Sequence, residues 1–190
     1  MIMHKFNKNS FSHGQIQSKI WLCEQLEPHL TKNKINAAIL GSWYNILGFM
    51  LLTRNQSKFN LITGIDIDQT TKPISDMITN AWQCMSDQKI ANIIADANSY
   101  NLSSFDVIIN CSPEHMESND WFHNIPMGKL VCIQTSDVDS MSDEWLVCNP
   151  NRILSEFVEK YPLSEYYSVG LKEISYEEWS YHRFMIIGKT

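Results

Sequence analysis

Short apolar runs, each closed by glycine, acid or amide, recur along the chain. INAAIL (35–40) stops at Gly41, FNLITGIDI (59–67) ends in acid, and 90–94 is followed at once by Asp96. Residues 105–109 run into Asn110, and KLVCIQT (129–135) follows a Met127-Gly128 turn. Runs this continuously apolar predict strands covered on both faces, the signature of a parallel sheet. Helical spacing fills the intervals. Residues 14–30 place apolar side chains at 16, 20, 22, 23, 26 and 30, which predicts an amphipathic helix. Residues 44–53 are apolar almost all round, as expected of a helix pressed onto a sheet, and 73–84 make another, with Pro73 in its first turn. Residues 117–124 predict a short helix, and Asn149-Pro150 fit the cap and first residue of one running through Lys160. The tail changes character: after a turn-rich linker come two long β-type runs joined by a short connection, the second within SYHRFMIIGKT, which predicts an antiparallel hairpin.

Five strands alternating with helices, then a hairpin, predict an α/β, doubly wound, mostly parallel sheet. With 190 residues the chain suits one domain, 1–190, carrying an N-terminal helical extension over about 1–33. In such a sheet ligands bind outside the carboxyl ends of the strands. The polar punctuation concentrates there, at 41–45, 66–68, 96–98 and 110–115.

Composition narrows the partners. A 44% hydrophobic content belongs to a globular protein, no apolar run approaches a membrane span, and the N-terminus lacks a signal-like stretch; the expectation is a soluble, cytoplasmic protein. Five scattered cysteines (23, 84, 111, 132, 148) without a CxxC pair predict neither structural zinc nor a disulfide framework, but small buried hydrophobes. The histidines show no ligand spacing, so no metal is expected. A net charge of −6 with dispersed Lys and Arg disfavours nucleic acid and points to a small-molecule or protein substrate.

Each strand end admits two readings. Asp66 is placed to accept the hydroxyls of a ribose, while Asp68 suits the next helix start. Asp96 either accepts from an adenine amine or opens an Asx turn. Trp43 and Tyr44 occupy a turn that a nucleoside-binding sheet usually fills with glycine; Trp43 either offers the ligand an aromatic face or plugs core beneath the loop. Asn110 ends the fourth strand toward the same crevice, where its amide could orient a ligand or nucleophile. Glu114 and His115 are proton acceptors near neutral pH, or simply the start of the next helix. The loop 136–144 is acidic and polar.

This order of elements resembles the class I S-adenosylmethionine-dependent methyltransferases. GIDID looks like that family's ribose motif with Asp66 in the acid's place, ADA (95–97) like its adenine motif, and FDVIINCSP like its fourth motif. The resemblance implies a seven-stranded Rossmann-like sheet, S-adenosylmethionine as cofactor, and Gly41, Ser42, Trp43, Tyr44, Asp66, Ile67, Asp96, Ala97 and Asn110 around it. Asn110, Glu114 and His115 would stand at the methyl-transfer site. GSWY, EHM, WFHNIP and RFMIIGK are similar to uncharacterised methyltransferase-like proteins of bacteriophages. The first motif departs from the pattern: Ile39, Trp43 and Asn45 stand where the family has an acid and two glycines. That departure keeps open a sheet that has lost its cofactor and binds a protein through tryptophans such as Trp21, Trp43, Trp121 and Trp179. A nucleotide-binding Rossmann enzyme is the third possibility, weakened by the absence of GxGxxG.

Overall fold

The computed structural model describes residues 6–55, 57–84, 87, 89–138 and 147–190. Seven strands form one sheet: β1 (Ile35–Leu40), β2 (Phe59–Asp66), β3 (Lys89–Ile94), β4 (Val107–Asn110), β5 (Leu130–Ser136), β6 (Glu165–Ser175) and β7 (Ser180–Lys189). Their order is β3-β2-β1-β4-β5-β7-β6, with β7 alone antiparallel to both neighbours. The helices are α1 (His13–Leu26), α2 (Ile46–Arg54), α3 (Lys72–Gln83), α4 (Asp120–His123) and α5 (Leu154–Lys160).

Alternate residues of the central strands feed two cores. Ile35, Ala37 and Ile39 of β1 pack with Leu22, Cys23 and Leu26 of α1, Leu47, Leu51 and Leu52 of α2, and Trp82 of α3. Ala38 and Leu40 face the other way, against Phe105, Trp121, Phe122, Phe157 and Tyr161. Burial on both sides is why these strands read as predominantly apolar runs. β1 reverses the strand order, with β2 on one flank and β4 on the other, so the loops after β1 and β4 part and leave a crevice.

Several expectations shift. The expected cap at Asn149-Pro150 does not open a helix: α5 starts at Leu154, its N-cap Ile153 making no side-chain bond. Asn149 Nδ2 instead donates to Asn119 Oδ1 (2.7 Å), and Asn151 Nδ2 to Thr135 Oγ1 (3.1 Å), so both amides are committed to tertiary bonds. The helix expected over 117–124 contracts to α4, preceded by a 3-10 turn at Pro113–His115. Cys23 and Cys132 are buried, Cys111 is partly buried, and Cys84 and Cys148 are exposed, where most of the five were expected to be buried. Of the loop 136–144, residues 139–144 lie outside the described residues. Among the described residues, no helix is long and apolar enough to cross a membrane.

Candidate functional site

The loops after β1 to β4 surround a hollow of about 560 Å³. Gly41, Ser42, Trp43, Tyr44, Asp66, Ile67, Asp96, Ala97, Glu114 and His115 all line it. Asn110 does not. It is wholly buried behind the wall, its Oδ1 accepting from Ser112 N–H (3.0 Å) and its Nδ2 resting on Met116 Sδ (3.3 Å). Both ends of its amide are spent on the turn that follows β4, so Asn110 shapes the loop that carries Ser112 and Met116 rather than meeting the hollow itself.

The turn after β1 has three residues in left-handed backbone: Gly41 (φ 61°), Trp43 (φ 51°) and Asn45 (φ 54°). Trp43 and Asn45 thus keep a conformation usually reserved for glycine. A bulky residue there costs about 1–2 kcal/mol and persists only where its surroundings impose it. Trp43 N–H donates to Asp66 Oδ2 (2.7 Å), and its ring stacks on Tyr44 with centroids 5.1 Å apart. Trp43 is half-buried against the small cluster of Tyr44, Ile46 and Ile74 while also lining the hollow. Tyr44 is buried: its hydroxyl accepts from Asn7 N–H (3.2 Å) and Phe6 stacks on its ring. Asn45 fills the space that Gly64 leaves open, where a Cβ would stand 2.6 Å from its Nδ2. That Nδ2 donates to Asn92 Oδ1 (2.9 Å), tying the turn to β3. At Gly41 the backbone passes so near the β4 loop that a Cβ would meet Ser112 Cβ at 3.1 Å.

Asp66 bridges two strand ends. One carboxylate oxygen takes Trp43 N–H and the other takes Asp68 N–H (3.0 Å), leaving each a further lone pair. Burial pushes its pKa above the ordinary aspartate value, although both N–H bonds pull against that shift. Asp68 caps no helix directly. It accepts from Thr70 N–H (2.8 Å) in the turn before α3, whose N-cap is Thr71. Asp96 accepts from Asn98 N–H (2.9 Å), an Asx turn, and stands exposed on the rim. Ile67 is 71% exposed, an apolar side chain held over the hollow beside Ala97.

Sequence reasoning named Glu114 but missed the partners that hold it, Arg183, Thr135 and Ser136. Glu114 is buried, and its carboxylate meets Arg183 Nη1 (3.3 Å), Thr135 Oγ1 (3.1 Å) and Ser136 Oγ (3.4 Å). Its carbonyl accepts from Cys148 N–H and Asn149 N–H. Burial opposes charge on Arg183, but Glu114 beside it prevails and holds its pKa above the ordinary value. Arg183 Nε is buried without a partner among the described residues. From α1, Gln15 and Lys19 enter the hollow, with Lys19 Nζ bonded to Gln15 Oε1. Burial pushes the Lys19 pKa down, partly offset by Cys111. Lys19 was legible in principle: with Gln15, Leu22 and Leu26 it lies on the helix face that turns inward. Burial also pushes the Cys111 thiol above its ordinary value. Among the described residues, no group of three His, Cys, Asp or Glu could hold a metal ion.

No family model matches the chain, and no curated protein matches it in sequence. Its fold is similar to that of magnesium protoporphyrin IX methyltransferase from Synechocystis PCC 6803 with bound SAM: 9% identity, TM-score 0.65, over 92% of this chain and 79% of that one. A SAM-dependent methyltransferase from Aquifex aeolicus matches at 12% identity and TM-score 0.59, over 96% and 99% of the two chains. The [4+2]-cyclase SpnF also matches, at 13% identity and TM-score 0.64, over 91% and 81%. The chain therefore has the Rossmann-like methyltransferase fold with its antiparallel C-terminal hairpin. At these identities the likeness establishes architecture alone, and a named cyclase among the neighbours illustrates that one fold carries more than one activity.

Proposed function

We propose that this chain is an S-adenosylmethionine-dependent methyltransferase. The observation that carries this reading is the 560 Å³ hollow itself, which collects the β1 turn, Asp66-Ile67, Asp96-Ala97 and the β4 loop without a side chain plugging it. That size falls within the range of about 300–1,000 Å³ typical of small-molecule sites. The donor set fits the cofactor. Asp66 retains a lone pair on each oxygen for the ribose hydroxyls, Ile67 and Ala97 offer apolar faces to adenine, and the Gly41 backbone gives close approach. Lys19 is the cation for the amino-acid carboxylate. Ile39 is only 1% exposed and belongs to the core, so no carboxylate meets the cofactor's ammonium from that position. One charge-assisted hydrogen bond, of about 1.5–3 kcal/mol, is thereby lost at that end while Lys19 supplies one beside it.

When bound, the cofactor supplies an electrophilic methyl group. The protein's task is then to align an acceptor and accept its proton. His115 is the exposed group on the hollow's wall suited to take that proton, whereas Glu114, tied to Arg183, Thr135 and Ser136, positions the loop. Titration calorimetry with S-adenosylhomocysteine tests the proposal: saturable heat at micromolar ligand is expected, and none at millimolar ligand with folded protein refutes it.

The second reading, a sheet that has lost its cofactor and binds a protein, draws on Ile39 and on the side chains at positions 43 and 45. It predicts no such heat. Its tryptophan anchors are fewer than expected, because Trp121 is fully buried in the core.

A further inference from the structure

A second hollow, of about 360 Å³, adjoins the first and shares Gln15, Glu114, His115 and Arg183 with it. Its remaining lining divides by chemistry. Tyr176, Trp179, Tyr181, Val138 and Val147 are apolar or aromatic, while Asn9, Ser12 and Ser136 are polar. The three aromatic rings are nearly parallel. Trp179 lies on Tyr176 at 4.5 Å and 6°, and beside Tyr181 at 5.5 Å and 21°, while Tyr176 and Tyr181 differ by 20°. At the tip of the β6–β7 hairpin Trp179 therefore stacks face to face on the tyrosine rings and still remains 40% exposed. The stack is fixed in place: Gly14 N–H, in the first turn of α1, donates to Tyr176 Oη (3.0 Å).

We infer that this second hollow binds the methyl acceptor, and that the acceptor is a small planar aromatic molecule bearing a hydroxyl group. The inference rests on the methyltransferase reading and deepens it. The Trp179 indole, held by the tyrosines it stacks on and lining the hollow, rewards a flat partner, because stacking needs parallel faces and costs little ordering on either side. A cationic acceptor fits poorly, since the Arg183 guanidinium already lies over the Tyr181 ring, 5.6 Å from its centroid. The four residues that the hollows share, Gln15, Glu114, His115 and Arg183, are all polar, so the hydroxyl of a ring held at Trp179 has His115 to turn to where the hollows meet. In the transfer, the carbon–sulfur bond of the S-adenosylmethionine sulfonium breaks with its electron pair left on sulfur. A bond forms between that methyl carbon and the phenolic oxygen, and the phenolic proton passes to a ring nitrogen of His115 and on to water.

The test uses the full chain saturated with S-adenosylhomocysteine, titrated calorimetrically with 7-hydroxycoumarin, 2-naphthol or catechol, and with a tyrosine-containing peptide for comparison. At least one free phenol is expected to bind, and Trp179→Ala to weaken it tenfold or more, with Trp179→Phe within threefold of the parent. S-adenosylhomocysteine affinity stays unchanged in both variants, which also shows that they fold. Cofactor binding without binding of any phenol overturns this inference alone, as does a Trp179→Ala variant that binds the phenol normally. Tighter binding of the peptide than of every free phenol overturns the small-molecule assignment. Absence of cofactor binding overturns the methyltransferase reading beneath it.

Discussion

Replacing Glu114 by glutamine removes one charge from a pair whose side chains are only 4% and 8% exposed, and leaves the shape nearly unchanged. At the observed 3.3 Å separation and an effective dielectric constant of about 20, the attraction between the two groups is about 5 kcal/mol. Much of that offsets the desolvation of both ions, so the intact pair contributes little net stability. Removing one member, however, leaves the guanidinium buried and uncompensated, which costs about 3–5 kcal/mol. With a urea dependence of about 3 kcal/mol per molar for a chain of this size, the unfolding midpoint of Glu114→Gln falls by between about 1 and 2 M. Arg183→Met is destabilised in the same direction. The double variant Glu114→Gln/Arg183→Met recovers part of the loss, because no charge remains to be solvated, and the cycle gives a coupling of about 2 kcal/mol or more. Urea titrations followed by tryptophan fluorescence measure all four proteins. A midpoint shift below about 0.3 M for Glu114→Gln, or a double variant as unstable as the two single losses added, would refute the reasoning.

Burial raises the Asp66 pKa, so the folded protein takes up this proton at a higher pH than the unfolded chain does. Asp66 thus favours folding most in acid, and that contribution fades as pH rises through its folded value. Protonation also removes the ribose acceptor: S-adenosylhomocysteine affinity should fall on titrating from about pH 7 to about pH 4, with the fall beginning above the ordinary aspartate range. Asp66→Asn should bind weakly throughout and lack that pH dependence in calorimetry. Lys19→Met should lose about ten- to a hundredfold in S-adenosylhomocysteine affinity, one charge-assisted bond, without a fall in melting temperature, since its ammonium is held against a burial penalty. Asn45→Ala leaves Asn92 Oδ1 without its donor and opens a void behind the β1 turn, so chemical denaturation should show a loss of about 2–3 kcal/mol. An unchanged midpoint would mean that the amide bond does not hold the turn.

What was legible in the sequence follows from what each residue had to satisfy. The parallel strands were plain because the two faces of 37–40 and 107–109 are both packed into the core, which leaves those positions to apolar residues. The rim residues Gly41, Asp66 and Asp96 were readable because a strand end followed by a turn restricts chemistry locally. The N-cap of α5 was not, because Asn149 and Asn151 spend their amides on Asn119 and Thr135, contacts made across the fold. The Glu114–Arg183 pair, 69 positions apart, had no local trace at all. Trp43 and Asn45 look like departures in sequence, yet the backbone there keeps the left-handed form; what changed is that Asp66, Tyr44 and Asn92 now impose it.

The bond from Gly14 to Tyr176 joins partners 162 positions apart. A ribosome must therefore release every residue from the helix through the hairpin tip before the two can meet. Until then, α1 has no aromatic platform to rest against, and the second hollow has no wall. Assembly of the second hollow is postponed until the β6–β7 hairpin is in place, so a product truncated before it would expose the crevice without that wall.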